Sequence, residues 1–136
     1  MAHVAVVGVG YVGLTTAVGL ASLGHQVVGI DTNEERVKAL LRGECPIFEA
    51  GLPDLLAKGV QSQRLTFTSD VANGVNGAEL VFLCVPTPED EDGSADLSHV
   101  LAAATASARH MPPGSVLVTK STVPVGTGGL VKSAVN

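Results

Sequence analysis

Aromatic side chains, cysteines and basic charge are all scarce in this sequence of 136 residues. Aromatic residues make up 3% and Trp is absent, so a core must be built from Val, Leu, Ile and Ala. The two cysteines, Cys45 and Cys84, exclude a disulfide framework and a paired CxxC zinc site. Thirteen acidic residues against eight basic ones give a net charge of -5, without the basic footprint of a nucleic-acid-binding surface. We therefore expect a cytoplasmic protein without a nucleic-acid partner.

Charged side chains are also missing from the whole segment between Ala2 and Ile30. Such a stretch resembles a membrane span or a signal peptide, but six glycines interrupt it and no basic region precedes it. A unit buried on both faces of a parallel sheet gives the same apolar pattern. The segment therefore predicts a buried α/β core and no membrane partner. The four histidines lack metal-ligand spacing, so we expect no metal site either.

Predicted strands and helices alternate along the chain. The predicted strands cover residues 3–7, 26–30, 65–68, 80–85 and 115–119, and the predicted helices cover 11–23, 33–41, 52–58, a brief segment after 70, 96–110 and 126–135. This alternation predicts an α/β fold with a doubly wound parallel sheet, which we expect to form one domain over residues 1–136. A sixth strand would follow residue 136. We therefore expect a fragment, truncated before the last strand, whose uncovered edge favours self-association.

Three glycines, Gly8, Gly10 and Gly13, form a G-x-G-x-x-G pattern between the first predicted strand and the first predicted helix. In a Rossmann-type fold the first glycine permits a tight turn. The second lets a pyrophosphate approach the backbone, and the third lets helix and strand pack closely. The amides of Tyr11 and Val12 open the helix, so they are the predicted donors to that anion.

An acidic residue, Asp31, ends the second predicted strand. A carboxylate at this point accepts hydrogen bonds from a ribose 2′-OH and repels a 2′-phosphate, so it predicts NAD rather than NADP as the cofactor. Arg36 lies one turn into the next helix. Two interpretations of this residue stay open: a contact with the adenosine, or an ion pair with Asp31.

Five longer motifs occur along the chain: GVGYVGL (8–14), GECPIFEAGL (43–52), VFLCVPTP (81–88), DGSADLS (92–98) and KSTVPVGT (120–127). Together, in this order, they resemble the NAD-binding domain of the UDP-glucose/GDP-mannose dehydrogenase family over essentially the whole chain. The resemblance implies an enzyme that oxidises the C6 hydroxyl of a nucleotide sugar to a carboxylate with two NAD molecules. It also implies a homo-oligomer for the full-length enzyme. UDP-glucose, GDP-mannose and N-acetylated UDP-sugars stay open as substrates, with UDP-glucose the first candidate.

The resemblance also implies roles for residues that follow the fourth and fifth predicted strands. Val85, Pro86 and Thr87 would line the cofactor. Ser121 and Thr122 would lie near the nicotinamide, and Thr122 is similar to the family's threonine that helps to position a catalytic water. Both segments follow the carboxyl ends of strands, where open α/β sheets bind ligands.

The sequence departs from the family pattern in two ways. Ala50 stands where the family usually carries proline. The family's nucleophilic cysteine, with the lysine and asparagine that stabilise the oxyanion, lies downstream of any residue present here. Cys84 lies within an apolar run, so we expect it to be buried and unreactive, and Cys45 has no histidine or basic residue beside it in sequence. The fragment alone is therefore expected to be inactive.

Two other functions remain open for this sequence. One is a stand-alone dinucleotide-binding or sensing module, which needs no catalytic cysteine. The other is a dehydrogenase of the 3-hydroxyacid or 6-phosphogluconate type, which shares the glycine loop. The VPTP and STVPVGT motifs count against this last class.

Overall fold

The computed structural model describes residues 2–45, 50–85 and 98–119. Its strands are β1 (His3–Val7), β2 (Gln26–Ile30), β3 (Leu65–Thr68), β4 (Leu80–Leu83) and β5 (Val116–Thr119). Its helices are α1 (Tyr11–Ser22), α2 (Glu34–Leu41), α3 (Leu52–Gln61), α4 (Val71–Val75) and α5 (Ser98–Ala108). Within these residues no helix has the length and apolar character needed to cross a membrane.

The five strands form one parallel sheet in the order β3-β2-β1-β4-β5. The central strand β1 pairs Val7 with Ile30 on one side and with Leu83 on the other. The carboxyl ends of β1, β2 and β4 therefore lie side by side. The chain reverses its direction of winding at the border between β1 and β4, and ligands of open α/β sheets bind at such a point.

Side chains of β1 alternate between two separate cores, one on each face of the sheet. Val4 and Val6 belong to the first cluster, whereas Ala5 and Val7 belong to the second. Buried residues of α1, α2 and α3 complete the first cluster, and those of α4 and α5 complete the second. Because helices cover each face, the buried positions of the central strand are apolar on both faces. The predicted α/β, doubly wound, Rossmann-type sheet is thus confirmed.

All five predicted strands are present, but several element boundaries differ from the prediction. β4 ends at Leu83 rather than at residue 85, level with the end of its neighbour β1 at Val7, where Gly8 begins the turn. Helix α5 ends at Ala108 rather than near residue 110. The predicted helix at 126–135 lies outside the described residues.

Helix α3 is longer than predicted because it continues through Gly59 instead of stopping before it. A Cβ at Gly59 would lie 3.1 Å from the Cβ of Leu65 in β3. This glycine therefore serves close packing of helix against strand and does not end the helix. The helix ends at the C-cap Ser62, followed by Gln63 with a φ of 64°.

Candidate functional site

The turn between β1 and α1 lies at the carboxyl edge of the sheet and begins with Gly8. Its φ of +93° is in the left-handed region, which glycine adopts without strain. Its N–H donates to the carbonyl oxygen of Ile30 at 2.7 Å. A Cβ at this position would lie 2.9 Å from backbone atoms of Cys84 and Val85. Gly8 thus turns the chain in the narrow space between the ends of β2 and β4.

The third glycine of the motif, Gly13, brings α1 into direct contact with this turn. A Cβ at Gly13 would lie 1.6 Å from the carbonyl oxygen of Gly8 and 3.2 Å from the Cβ of Cys84. No side chain fits there without displacing backbone. The geometry is the close helix–strand packing that the motif predicts for this position.

Gly10, by contrast, faces open space. It is the N-cap of α1, with a φ of -69°, and no heavy atom lies within 4 Å of a Cβ built on it. Helix α1 has no side-chain cap and no acidic residue in its first turn. The N–H of Leu14 donates to the carbonyl oxygen of Gly10 at 2.9 Å. The exposed amino end of α1 thus carries partial positive charge and suits an anion.

Two residues of the first turn of α1 are exposed to solvent. Tyr11 is 60% exposed and Val12 is 43% exposed, although both are large and apolar. Within the described part of the chain, no acceptor meets the N–H of Val12. This amide is therefore available to a ligand at the open side of the turn, in agreement with its predicted location.

The carboxylate of Asp31 links three segments at the same edge of the sheet. Its Oδ2 accepts hydrogen bonds from the N–H of Val9 at 3.0 Å and from Nη1 of Arg36 at 3.1 Å. Its Oδ1 accepts from the N–H of Asn33 at 2.9 Å. Of the two interpretations left open for Arg36, the structure contains the ion pair.

The bond from Val9 to Asp31 is a contact that sequence reasoning did not anticipate. The pattern of spacing placed Asp31 near a ribose, but it gave the carboxylate no partner within the glycine loop. The donor is a main-chain N–H, which every residue except proline carries, so no side chain marks it. In the described residues this bond holds the loop against the end of β2.

Val85 lies two residues beyond β4 and is partly buried against the second core cluster. Its backbone nitrogen is one of the atoms nearest to Gly8, so it borders the glycine turn. The structure therefore brings together most of the predicted cofactor-binding residues: Gly8, Gly10, Tyr11, Val12, Gly13, Asp31, Arg36 and Val85. The other predicted residues, Pro86, Thr87, Ser121 and Thr122, lie outside the described residues.

The prediction that Cys84 is buried was wrong, because this residue is only partly buried. The strand β4 ends before it, and the facing residue of α1 is Gly13, which has no side chain to cover it. Cys84 therefore lies at the carboxyl edge of the sheet, beside the glycine turn. Cys45 is also partly buried, and both cysteines pack against the first core cluster.

Glu44, at the end of the segment that follows α2, forms an ion pair with a neighbouring arginine. Its two carboxylate oxygens accept from Nε and Nη2 of Arg42 at 3.1 and 3.2 Å. These hydrogen bonds first, and the positive charge second, hold the pKa of Glu44 below its ordinary value. Within the described residues, no group of three or more His, Cys, Asp or Glu side chains is placed to hold a metal ion.

Comparison with known proteins shows which family the chain belongs to. A sequence profile described as the UDP-glucose/GDP-mannose dehydrogenase family, NAD binding domain, matches residues 2–136. The chain belongs to this family. As its NAD-binding domain, the chain has NAD as its cofactor, in agreement with the prediction from Asp31. The uncapped end of α1 and the space beside Gly10 fit the pyrophosphate of that cofactor.

Relatives of this NAD-binding domain are much longer proteins. The UDP-glucose 6-dehydrogenase TuaD of Bacillus subtilis (strain 168) is 44% identical over 135 residues, which cover 99% of this chain and 29% of the relative. A UDP-glucose 6-dehydrogenase of Pseudomonas aeruginosa is 48% identical over 130 residues, covering 96% of this chain and 29% of the relative. The chain therefore spans less than a third of the length of these curated relatives.

A solved structure of a UDP-glucose dehydrogenase from the archaeon Pyrobaculum islandicum has the same fold. It matches with a TM-score of 0.93 and 45% sequence identity, over 99% of this chain and 32% of that protein. A match this close over nearly the whole chain confirms the predicted Rossmann-type architecture.

Proposed function

We propose that the chain supplies the NAD-binding part of an oxidoreductase that oxidises the C6 hydroxyl of a nucleotide sugar to a carboxylate with two NAD molecules. UDP-glucose is the first candidate substrate, because the relatives described above are named for it. The observation that carries the proposal is the uncapped amino end of α1, which opens beside Gly10 and next to the carboxylate of Asp31.

Each part of the turn has a role in holding the dinucleotide. The pyrophosphate lies against the first turn of α1, where the N–H of Val12 donates to it, and Tyr11 is the second predicted donor. Gly10 leaves the space that the phosphates occupy, since any side chain there would project into it. Asp31 accepts a hydrogen bond from the ribose of the adenosine half.

The catalytic half of the site follows the carboxyl ends of β4 and β5. Bound NAD supplies the hydride acceptor of the reaction. Val85, Pro86 and Thr87 line the cofactor, and Ser121 and Thr122 lie near the nicotinamide. In this proposal Thr122 positions the catalytic water. The contact of Val85 with the glycine turn supports this proposal, since the backbone nitrogen of Val85 lies beside Gly8.

The lengths of the relatives bear on which functions residues 1–136 supply within the whole protein. We propose that residues 1–136 form the dinucleotide-binding unit of a cytoplasmic homo-oligomer. We also propose that substrate binding and the nucleophilic cysteine lie outside residues 1–136, since this chain matches only 29% of the length of each of these relatives. The chain alone then binds NAD without oxidising a sugar. A stand-alone sensing module also accommodates the same turn, so the two functions need an experiment to separate them.

Calorimetric titration of the chain with NAD and, separately, with NADP tests the cofactor half of the proposal. We expect NAD to bind with a clear preference. Absence of NAD binding by a chain that circular dichroism reports as folded would contradict it. Formation of NADH from UDP-glucose by the whole protein tests the other half. A whole protein that binds NAD but oxidises no nucleotide sugar would favour the sensing module.

A further inference from the structure

A cavity with a volume of about 240 Å³ lies between helices α1 and α3. Ser22, the last residue of α1, lines it together with Arg64, which directly precedes β3. The carbonyl oxygen of Arg64 accepts from the N–H of Val27 at 2.7 Å, so the cavity borders the amino ends of β2 and β3. The glycine turn lies at the carboxyl ends of the strands. The cavity is therefore a separate site at the opposite edge of the sheet.

Two cations line this cavity without a counter-ion. Lys58 of α3 and Arg64 have no ion-pair partner within the part of the chain that the structure describes. No Asp or Glu is among the described lining residues, and Asp54, one turn before Lys58, forms no ion pair with it. By contrast, each of the three cations in residues 36–42 has a carboxylate within 3.9 Å. In a chain with a net charge of -5, two unpaired cations beside one cavity favour an anion there.

The two serines of the cavity use their protons within the chain. The Oγ of Ser22 donates to the carbonyl oxygen of Gly19 at 2.7 Å. The Oγ of Ser62 donates to the carbonyl oxygen of Gly59 at 3.1 Å. A hydroxyl has a single proton, so neither serine has one left for a ligand. Among the described lining side chains, the two cations are therefore the donors that remain, and they select a ligand with negative charge.

The rest of the cavity is small and apolar. Leu55 of α3 lines it and is 41% exposed, although its side chain is large and apolar. A Cβ built on Gly59 would lie 3.7 Å from the Cβ of Ala21, so the two helices approach closely here. The volume is below that of pockets which hold drug-sized ligands. A ligand of this cavity is therefore a small molecule, and an apolar part would cover Leu55.

We propose that this cavity is a binding site for a small phosphate monoester. The guanidinium of Arg64 matches two phosphate oxygens with parallel hydrogen bonds, and the ammonium of Lys58 adds a point charge. Two cations also balance the charge of close to -2 that such a phosphate carries at neutral pH. The organic part of the ligand packs on Leu55. The proposal does not depend on the function of the glycine turn, which lies at the other edge of the sheet.

The test is a calorimetric titration of the chain with phenyl phosphate and, separately, with inorganic phosphate. We expect phenyl phosphate to bind more tightly, because its ring covers the exposed apolar surface of Leu55. Lys58→Gln and Arg64→Gln should each weaken binding about tenfold, since each removes a charge-assisted contact. Leu55→Ser should reduce only the advantage of phenyl phosphate over inorganic phosphate.

Arg109→Gln is the matched control for the loss of one positive charge. Arg109 follows α5, which covers the other face of the sheet, and it is exposed and without an ion pair in the described part of the chain. We expect this variant to bind phenyl phosphate like the unchanged chain. A loss equal to that of Lys58→Gln and Arg64→Gln would show that only the overall charge matters, and it would overturn the proposal.

Three further results would contradict the phosphate site. The first is no binding of phenyl phosphate by the folded chain. The second is a folded Lys58→Gln with unchanged affinity and lower stability, because Lys58 would then serve only the dipole at the end of α3. The third is much tighter binding of a phosphoserine peptide than of phenyl phosphate, which would replace the small ligand by a protein partner. Should Arg64→Gln fail to fold by circular dichroism, Arg64→Lys replaces it, and loss of the guanidinium fork should still weaken binding.

Discussion

Helices α1 and α2 begin at the same edge of the sheet, yet their amino ends are completed in different ways. The amino end of α2 is capped by Asn33, whose side chain accepts from the N–H of Arg36 at 3.1 Å, and its first turn contains two glutamates. The amino end of α1 has Gly10 as its N-cap, without a capping side chain or an acidic residue. Both helices have the same dipole direction relative to the sheet.

This difference separates a structural helix end from one that is free to bind a ligand. At α2 the Asn33 side chain caps one of the amide donors, and two glutamates balance the partial positive charge. At α1 the N–H of Val12 and the open space beside Gly10 leave that charge to an anion from solution. The variants below either remove this difference or measure it, in order of decreasing expected effect.

The largest effect is expected for Gly13→Ala. The new Cβ would lie 1.6 Å from the carbonyl oxygen of Gly8, so the turn or the helix must move, and we expect a loss of about 3 kcal/mol or more in the free energy of unfolding. Urea denaturation measures it. Gly19→Ala is the matched control in the same helix, because a Cβ there meets no atom within 4 Å. We expect this variant to raise the free energy of unfolding by about 0.5–1 kcal/mol. Equal stabilities of the two variants would contradict the packing role of Gly13.

Gly10→Asp should make α1 resemble α2. A carboxylate at the N-cap supplies the missing acceptor and occupies the space for the pyrophosphate. We expect the affinity for NAD to fall about 100-fold, whereas the free energy of unfolding stays equal or rises by about 0.5 kcal/mol. Calorimetry and urea denaturation report the two quantities. Gly10→Ala is the control without charge and should weaken binding less. Unchanged NAD affinity in Gly10→Asp would exclude this helix end as the phosphate site.

The reverse change, Asn33→Ala, removes the cap of α2 and so makes its amino end resemble that of α1. Loss of the cap bond to the N–H of Arg36 is expected to lower the free energy of unfolding by about 1 kcal/mol. The affinity for NAD should change little, because the cap serves the helix and not the ligand. Thermal unfolding and calorimetry test the two statements, and Asn33→Asp, which retains an acceptor oxygen, should behave like the unchanged chain. A large loss of NAD affinity in folded Asn33→Ala would show that α2 also takes part in binding.

The smallest effect is expected just beyond the carboxyl end of α2, where Arg42 and Glu44 form an exposed ion pair. Because this pair lowers the pKa of Glu44 from its ordinary 4.5, it stabilises the fold above that pH and is lost as the pH falls through the lower folded-state pKa. Glu44→Gln should hardly change the melting temperature at neutral pH. The small difference from the unchanged chain should vanish on acidification, and a difference that grows at low pH would be inconsistent with the ion pair.

Much of the fold was predictable because strong local signals agree with each other. Short apolar runs marked β1 and β2, and the G-x-G-x-x-G spacing marked the turn and the packing roles of Gly8 and Gly13. The cap at Asn33 is harder to assign from sequence, because the preceding Thr32 also carries a side-chain oxygen that can cap a helix. The ion pair of Asp31 with Arg36 was one of two open interpretations, because helix spacing permits both contacts.

The remaining features depend on tertiary contacts that leave no local trace. Gly59 looks like a helix terminator until Leu65 is seen to pack against it. Cys84 belongs to an apolar run, but β4 ends before it, so it lies at the carboxyl edge of the sheet. The N–H of Val9 has no side chain of its own to reveal that it binds Asp31. In each case a segment distant in sequence determines the contacts or the burial of the residue.

The glycine loop is fixed before any ligand arrives. Gly8 is bonded to the carbonyl oxygen of Ile30, and Val9 is bonded to the carboxylate of Asp31, so the two residues that open the loop are both tied to the end of β2. Ordering a residue costs about 1–2 kcal/mol of conformational entropy, and these residues are ordered when the sheet folds rather than when a ligand binds. A dinucleotide that docks on this turn meets a rigid surface, so its association should proceed without an induced-fit step in the loop.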